Sequence, residues 1–295
     1  MQLQQLAYFV AVAETRHFTR AAERMYVAQP SLSKQIGVLE AELGTPLFVR
    51  TRGNITLTAA GETLLPIARR ILADVDTARV EVQELAQLRR GRLRLGATPS
   101  LMTGLLPPVL RRFRDRWPGV ELVVEESGSH DLVQDLHEGR LEVALVVLPL
   151  PRQDLPLTTT RLLHEDLVLI TSGDDEDERD GPLGIEALRD LPLVMFRRGY
   201  DLRDLTVAAC RDAGFEPAFA VEGGEMDAVI GFVRAGLGAA VVPGTVAMAN
   251  PGLRARRFRS PGLTRVVALA HRRDVQPSRA AREFRALLLD ELGTG

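Results

Sequence analysis

The sequence predicts a multidomain chain of α and α/β parts: a small helical unit carrying a β-hairpin, one long helix, and a larger two-lobed α/β region. Three observations predict it. Two short helical patterns meet at a tight turn within residues 19–43, an apolar seam recurs at helical spacing from Leu64 to Leu85, and strand-like and helix-like runs alternate from Leu93 onward. A chain of 295 residues exceeds one average domain, so two or three compact units with ample core are expected.

The N-terminus opens on an amphipathic helical pattern, Leu3, Leu6, Val10 and Ala13, with no charged n-region, long apolar stretch or small-residue cleavage site. The stretch 19–43 then reads as a helix-turn-helix. In its second helix Leu32, Ile36, Leu39 and Leu43 line one stripe that must face a core, which leaves Gln29, Pro30, Ser33, Lys34 and Gly37 on the opposite face. Pro30 suits a first helical turn, where its missing N–H costs nothing, and Gly44 supplies the stop. Short polar groups on such a face can meet base edges or phosphates in a major groove. Pro46 to Leu57 reads as two apolar-alternating arms around Arg52-Gly53-Asn54, the wing of a winged helix-turn-helix, with Arg50 and Arg52 able to reach a phosphate backbone or an adjacent minor groove.

Thr58 is a plausible N-cap for the long helix. Leu64, Ile67, Ile71, Val75, Ala78, Val82 and Leu85 recur at steps of three or four, the seam of a helix that pairs with another helix; a helix packed on its own domain is the alternative. Pro66 should bend that helix, and Arg89-Arg90-Gly91-Arg92 marks its end. The predicted domains are therefore 1–58, 59–90 and 91–295.

From Leu93 the strand-like runs are 93–97, 120–125, 143–148, 166–170, 193–196, 219–221, 238–243 and 264–270, with helical stretches near 104–115, 130–138, 185–190, 202–213, 226–236 and 278–292. Short β-rich runs between helices imply mostly parallel sheets covered on both faces. Two lobes follow, and ligands bind at strand ends in the cleft of such sheets. Asp174 to Glu178, a run of acids before Gly181-Pro182, reads as a solvated loop, and the ten arginines between Arg254 and Arg285 as solvated face or subunit contact.

Composition narrows the function. A net charge of −2 argues against bulk coating of nucleic acid, so any DNA contact must be local. With 45% hydrophobic and 26% charged residues and no long apolar run, nothing is expected to span a membrane. The lone cysteine, Cys210, sits in an apolar helical run where a buried inert thiol is the default, and it excludes an internal disulfide and a four-cysteine zinc site. His17, His130, His137, His164 and His271 lack metal-ligand spacing, and no phosphate-loop or dinucleotide glycine motif is present, so neither a cofactor nor catalysis is expected.

Taken together the residues resemble the LysR-type transcriptional regulators over essentially the whole chain. The resemblance is carried by Phe18-Thr19-Arg20-Ala21-Ala22-Glu23, Gln29-Pro30-Ser31-Leu32-Ser33-Lys34-Gln35-Ile36, Leu39-Glu40, Leu43-Gly44, Leu47-Phe48, Arg50 and Leu57-Thr58, and further on by Pro118-Gly119-Val120 and Ala235 to Pro243. Gly37 departs from it, standing where many relatives carry a larger, often basic side chain. The resemblance implies a cytoplasmic regulator, usually a homotetramer built from homodimers, with a sensor similar to periplasmic binding proteins. Its partners would be promoter DNA, a small effector and RNA polymerase. The chain would cross between lobe I (about 91–162 and 266–295) and lobe II (about 163–265) near Arg161 to Glu165 and Leu263 to Val267. A solute-binding protein serving transport is the competing reading, disfavoured by the winged domain and the lack of a leader.

For DNA the candidates are Thr19, Arg20, Gln29, Pro30, Ser31, Ser33, Lys34, Arg50 and Arg52. For the effector the first candidates are Thr98, Pro99, Ser100 and Leu101, where a strand hands over to a helix; an anion site and a simple N-cap both fit there. The resemblance adds Gly128, Ser129, Leu148, Arg197, Arg198, Gly199, Glu225, Met226 and Pro243. Two guanidinium groups, Arg197 and Arg198, favour a small anion, while a surface pair or a salt bridge from one arginine to Glu225 is the alternative.

Overall fold

The computed structural model describes residues 1–51, 54–86, 91–150, 152, 154–173 and 181–293. Arg52, Arg89, Arg90 and the run Asp174 to Glu178 lie outside them, as do the side chains of Arg50 and Leu85. Backbone contacts divide the chain into two units, residues 1–88 with 137–140, and the remainder.

The first unit begins with α1 (Leu3–Thr15), α2 (Phe18–Arg24) and α3 (Gln29–Leu43). Phe9 and Val12 of α1 are buried against Ala21, Leu32, Ile36 and Leu39, so the apolar stripe anticipated for α3 does face a core. Pro30 stands in the first turn of α3, and Gly44 closes it in the left-handed conformation at φ 71°. Strands β1 (Phe48–Thr51) and β2 (Asn54–Leu57) pair antiparallel with Phe48 opposite Leu57, as a wing requires. The Thr58 hydroxyl accepts from the Gly61 N–H at 3.1 Å, which caps α4 (Ala59–Ala86) as expected. A Cβ at Gly61 would lie 2.3 Å from the Leu47 carbonyl oxygen, so only glycine lets α4 start this close to the wing.

The long helix serves two ends. Leu64, Leu65, Ile71 and Leu72 pack on the core of the first unit, whereas Ile67 and Val82 are 39% and 68% exposed. Part of the seam therefore belongs to the unit's own packing. Pro66 is accommodated inside α4.

The second unit runs β3 (Gly91–Ala97), α5 (Pro99–Gly104), α6 (Leu106–Arg116), β4 (Val120–Glu126), α7 (Ser129–His137) and β5 (Val143–Leu148). It continues with β6 (Leu157–Ser172), a 3-10 turn (Ile185–Asp190), β7 (Leu193–Met195), α8 (Asp201–Asp212), β8 (Phe219–Glu222) and α9 (Met226–Arg234). The last elements are β9 (Ala240–Pro243), α10 (Gly244–Met248), β10 (Leu253–Arg257), β11 (Thr264–Arg272) and α11 (Arg279–Glu291). In the first lobe β3 pairs parallel with β4 and β5, and β11 runs antiparallel between β5 and β6. Phe113 and Phe284 bury one face of this sheet under α6 and α11, and Leu132 and Leu136 of α7 bury the other. A Cβ at Gly96 would meet Leu132 and Leu141 at 2.5 Å, a close approach that permits α7 to lie flat on β3.

The sheets are mixed, which corrects the expectation of mostly parallel pairing. β6 pairs with β11 from Leu157 to Asp166 and then with β9 and β10 from Leu167 to Ser172, always antiparallel. One long strand thus serves both lobes, and β11 returns beside it. The second lobe has its own core, including Ile170, Val194, Phe196, Leu202, Val229 and Val242. Residues 99–116 form two helices rather than one, because Pro107 and Pro108 lack N–H donors and suit the first turn of a new helix.

Candidate nucleic-acid interface and interlobe cleft

On α3, Leu32, Ile36 and Leu39 are fully buried, while Pro30, Ser31, Lys34 and Gly37 are exposed and Gln29 and Ser33 partly so. Thr19 and Arg20, at the start of α2, are exposed as well. The His17 ring accepts from the Thr19 N–H at 3.2 Å and so caps α2. Three hydrogen bonds hold the outward face in place. Buried Gln5 of α1 donates to Gln35 Oε1 at 3.1 Å, and the backbone N–H groups of Leu47 and Phe48 donate to Glu40 Oε1 at 2.8 and 3.3 Å, tying α3 to the wing strand. Nothing in the helical periodicity singles out Tyr26, yet it is 96% exposed at the turn into α3 and holds φ at 54°. An unobstructed polar face on a short, well-anchored helix is the geometry that major-groove reading needs.

The second group of candidates gathers where β4, α7, α8 and α9 begin or end. Ser129 Oγ donates to Asp201 Oδ2 at 2.8 Å and accepts from the Val147 N–H at 3.2 Å. Gly128 lies beside Gly199 and the Arg197 guanidinium, with 3.6 and 3.7 Å available to a Cβ. Arg197 Nε donates to Glu225 Oε1, so Arg197 is joined to Glu225, the alternative left open by the sequence. Arg198, its side chain 86% exposed, pairs with Glu222 at 3.6 Å and lines a groove of about 680 Å³ with Arg203, Arg211 and Phe219. The two arginines do not act as a pair here.

Thr98 and Ser100 flank the start of α5 and are 2% and 1% exposed. Thr98 is the N-cap residue, but its hydroxyl makes no cap hydrogen bond and has no partner among the described residues. Ser100 Oγ accepts from Arg265 Nη2 at 2.8 Å; Arg265 Nε donates to Glu165 Oε2, also at 2.8 Å, and Thr245 donates to the other Glu165 oxygen. This buried network sits on β6 and β11, where the chain passes between lobes. Periodicity did not reveal Arg265, Glu165 and Thr245, because their partners lie 80 to 165 positions away in the sequence. Leu148 stands at the end of β5, Pro243 closes β9 opposite Leu167, and Met226, next to Glu225, is buried in the second-lobe core.

The cluster is acidic. Burial, and then the Asp227 and Glu225 carboxylates, raise the Glu126 pKa above the ordinary carboxylate range. Burial also raises that of Asp201, against the opposing Ser129 hydrogen bond and the Arg265 charge.

Comparison with known proteins decides the family. Residues 3–62 match the bacterial regulatory helix-turn-helix of the lysR family, and residues 86–293 match the LysR substrate binding domain. The chain belongs to the LysR family. Among its relatives the HTH-type transcriptional regulator IlvR of Caulobacter vibrioides is 36% identical over 86% of this chain and 86% of its own length. A probable nitrogen assimilation transcriptional activator of Synechococcus elongatus is 34% identical over 97% and 94%. Full-length OxyR from Pseudomonas aeruginosa, crystallised as a cysteine-to-aspartate variant, superposes with a TM-score of 0.75 at 29% identity, covering 99% of this chain and 94% of OxyR. CbnR in complex with its target DNA superposes with a TM-score of 0.73 at 26% identity, covering 99% of both chains. This LysR-type protein is accordingly a DNA-binding transcriptional regulator with an effector-binding domain, not an enzyme. Among the described residues no helix is long and apolar enough to cross a membrane.

Proposed function

We propose that this LysR-type regulator reads a promoter operator through Gln29, Pro30, Ser31, Ser33 and Lys34 of α3, with Thr19 and Arg20 of α2 and with Arg50 and Arg52 of the wing on the phosphate backbone. The carrying observation is the split character of α3, whose inner stripe is fully buried while Lys34 and Ser31 stand in solvent. A glutamine can pair bidentately with adenine, and a lysine can reach guanine or a phosphate. Residues 1–58, 59–90 and 91–295 act as reader, linker and sensor. Homodimers form along α4 through Ile67, Val75 and Val82 and join into tetramers, and the assembled regulator works in the cytoplasm with RNA polymerase.

The effector is a small metabolite with an anionic group, bound between the lobes near Thr98, Pro99, Ser100, Leu101, Gly128, Ser129 and Gly199. The hydroxyl of Thr98, buried at the start of α5 with no hydrogen-bond partner among the described residues, supports that assignment. The test is a gel shift with the DNA flanking the protein's own gene. A sequence-specific shift is expected. Gln29→Ala should weaken operator binding by about 1–3 kcal/mol while leaving random DNA unchanged; equal loss on both would assign Gln29 a positioning role.

A further inference from the structure

The interlobe cluster is more acidic than a receptor for a simple anion requires. Glu126 ends β4, Asp201 opens α8, and Glu225 and Asp227 stand at the start of α9. The facing cations are Arg197, already joined to Glu225, and Arg265, already joined to Glu165. Two buried oxygen atoms in this cluster have no hydrogen-bond partner among the described residues: Glu225 Oε2, an acceptor, and the Tyr200 hydroxyl, which can donate or accept, on a side chain only 3% exposed. Tyr200 is held rigidly, its ring stacked on Phe196 with centroids 4.5 Å apart, so the hydroxyl cannot simply turn away to solvent.

The environment of Tyr200 identifies what it faces. Burial raises the phenol well above its ordinary range, and the Glu225, Asp201 and Glu126 carboxylates add to that, opposed by Arg265. The hydroxyl therefore stays neutral among carboxylates of both lobes, able to accept a hydrogen bond that none of the described residues donates. An acceptor withdrawn from water without a donor costs free energy, which a ligand supplying N–H groups restores. A metal ion is a poor fit, since among the described residues no His, Cys, Asp and Glu group has the arrangement to hold one, and a guanidinium lies in the cluster.

We propose that the effector carries an ammonium group as well as a carboxylate, an amino-acid-type zwitterion, with the ammonium received by Glu225 Oε2, the Tyr200 hydroxyl and the Glu126 carboxylate. This rests on the interlobe anion reading above and adds the cationic half of the ligand. Three N–H donors then meet three acceptors, and the excess negative charge of the cluster is offset.

The full-length protein is titrated calorimetrically with each proteinogenic amino acid and, for every binder, with the 2-oxo acid in which the ammonium is replaced. At least one amino acid should bind, and its 2-oxo counterpart about tenfold or more weakly. Glu225→Gln and Tyr200→Phe should each weaken the amino acid about fivefold or more while changing the 2-oxo acid little. Tyr200→Phe keeps the ring on Phe196 and deletes only the unpartnered hydroxyl, so its melting temperature should not fall; that variant separates recognition from misfolding. A 2-oxo acid binding as tightly as its amino acid, or Tyr200→Phe leaving amino-acid affinity intact, overturns the zwitterion and leaves the anionic reading standing. If no amino acid binds, the zwitterion is overturned; a parallel titration with dicarboxylic acids and phosphate esters then decides the anionic reading, which falls only if these fail too.

Discussion

Single residues in the sensor carry large and opposite consequences. The Arg265 and Glu165 side chains are 1% and 6% exposed and 2.6 Å apart, a charge pair out of reach of water. Removing one partner strands the other, so Arg265→Met should destabilise the sensor by about 3–5 kcal/mol in urea unfolding, whereas Arg265→Met with Glu165→Leu should recover much of the loss. A double variant as unstable as the single one would show that the pair itself, and not the stranded charge, sets the cost. Cys210 behaves differently. It is fully buried in α8, and burial, aided by Glu216, pushes its thiol up to about 11. A thiol raised above its unfolded value of about 8.5 favours the fold fully below that pH and loses its contribution as pH climbs toward 11. A thiol buried and raised in this way offers little thiolate near neutrality. Iodoacetamide at pH 8 should label Cys210 only after unfolding, read by mass spectrometry; rapid labelling of native protein would refute the burial argument.

At the level of elements, the wing depends on α3. Glu40 lies on α3 yet accepts from two backbone N–H groups at the entry to β1, so the recognition helix and the wing move together. Glu40→Ala leaves those donors unpaired and should cost about 1–3 kcal/mol, with a larger proportional loss of operator binding than of sensor stability in separate melts of DNA-bound and free protein. Elements were legible from sequence where one face is apolar and the other polar. The α3 stripe, the Gly44 stop, the Thr58 cap and the wing arms all follow from short-range pattern. The first half of β6, Leu157 to Glu165, was not legible, because Thr158, Thr159, Thr160 and Arg161 interrupt its apolar character. β10 hid for the same reason, since Arg254, Arg256 and Arg257 make an exposed edge strand look like a charged loop.

For the whole molecule, the proposed assembly turns on α4. One half of its apolar seam is used by Leu64 and Ile71 within the first unit, while Ile67 and Val82 are left to solvent in the single chain. A helix face that stays apolar after its own core is satisfied is available to a second copy. Ile67→Glu with Val82→Glu should shift sedimentation toward monomer and weaken operator binding without loss of helical circular dichroism; an unchanged sedimentation coefficient would remove α4 from the interface. The net charge of −2 fits a reader whose DNA contact is confined to one helix face and a wing.

The sequence by itself determined the order of helical unit, long helix and α/β region and the outward face of α3, because periodicity, caps and stops act over a few residues, while its motif residues carried the resemblance to the family. Only the tertiary structure decided which charges meet. Arg265 finds Glu165 across 100 positions and Ser100 across 165, and Arg197 spends itself on Glu225 rather than joining Arg198. Such pairings depend on how β6 and β11 align in register and where α8 and α9 start, which no local pattern encodes.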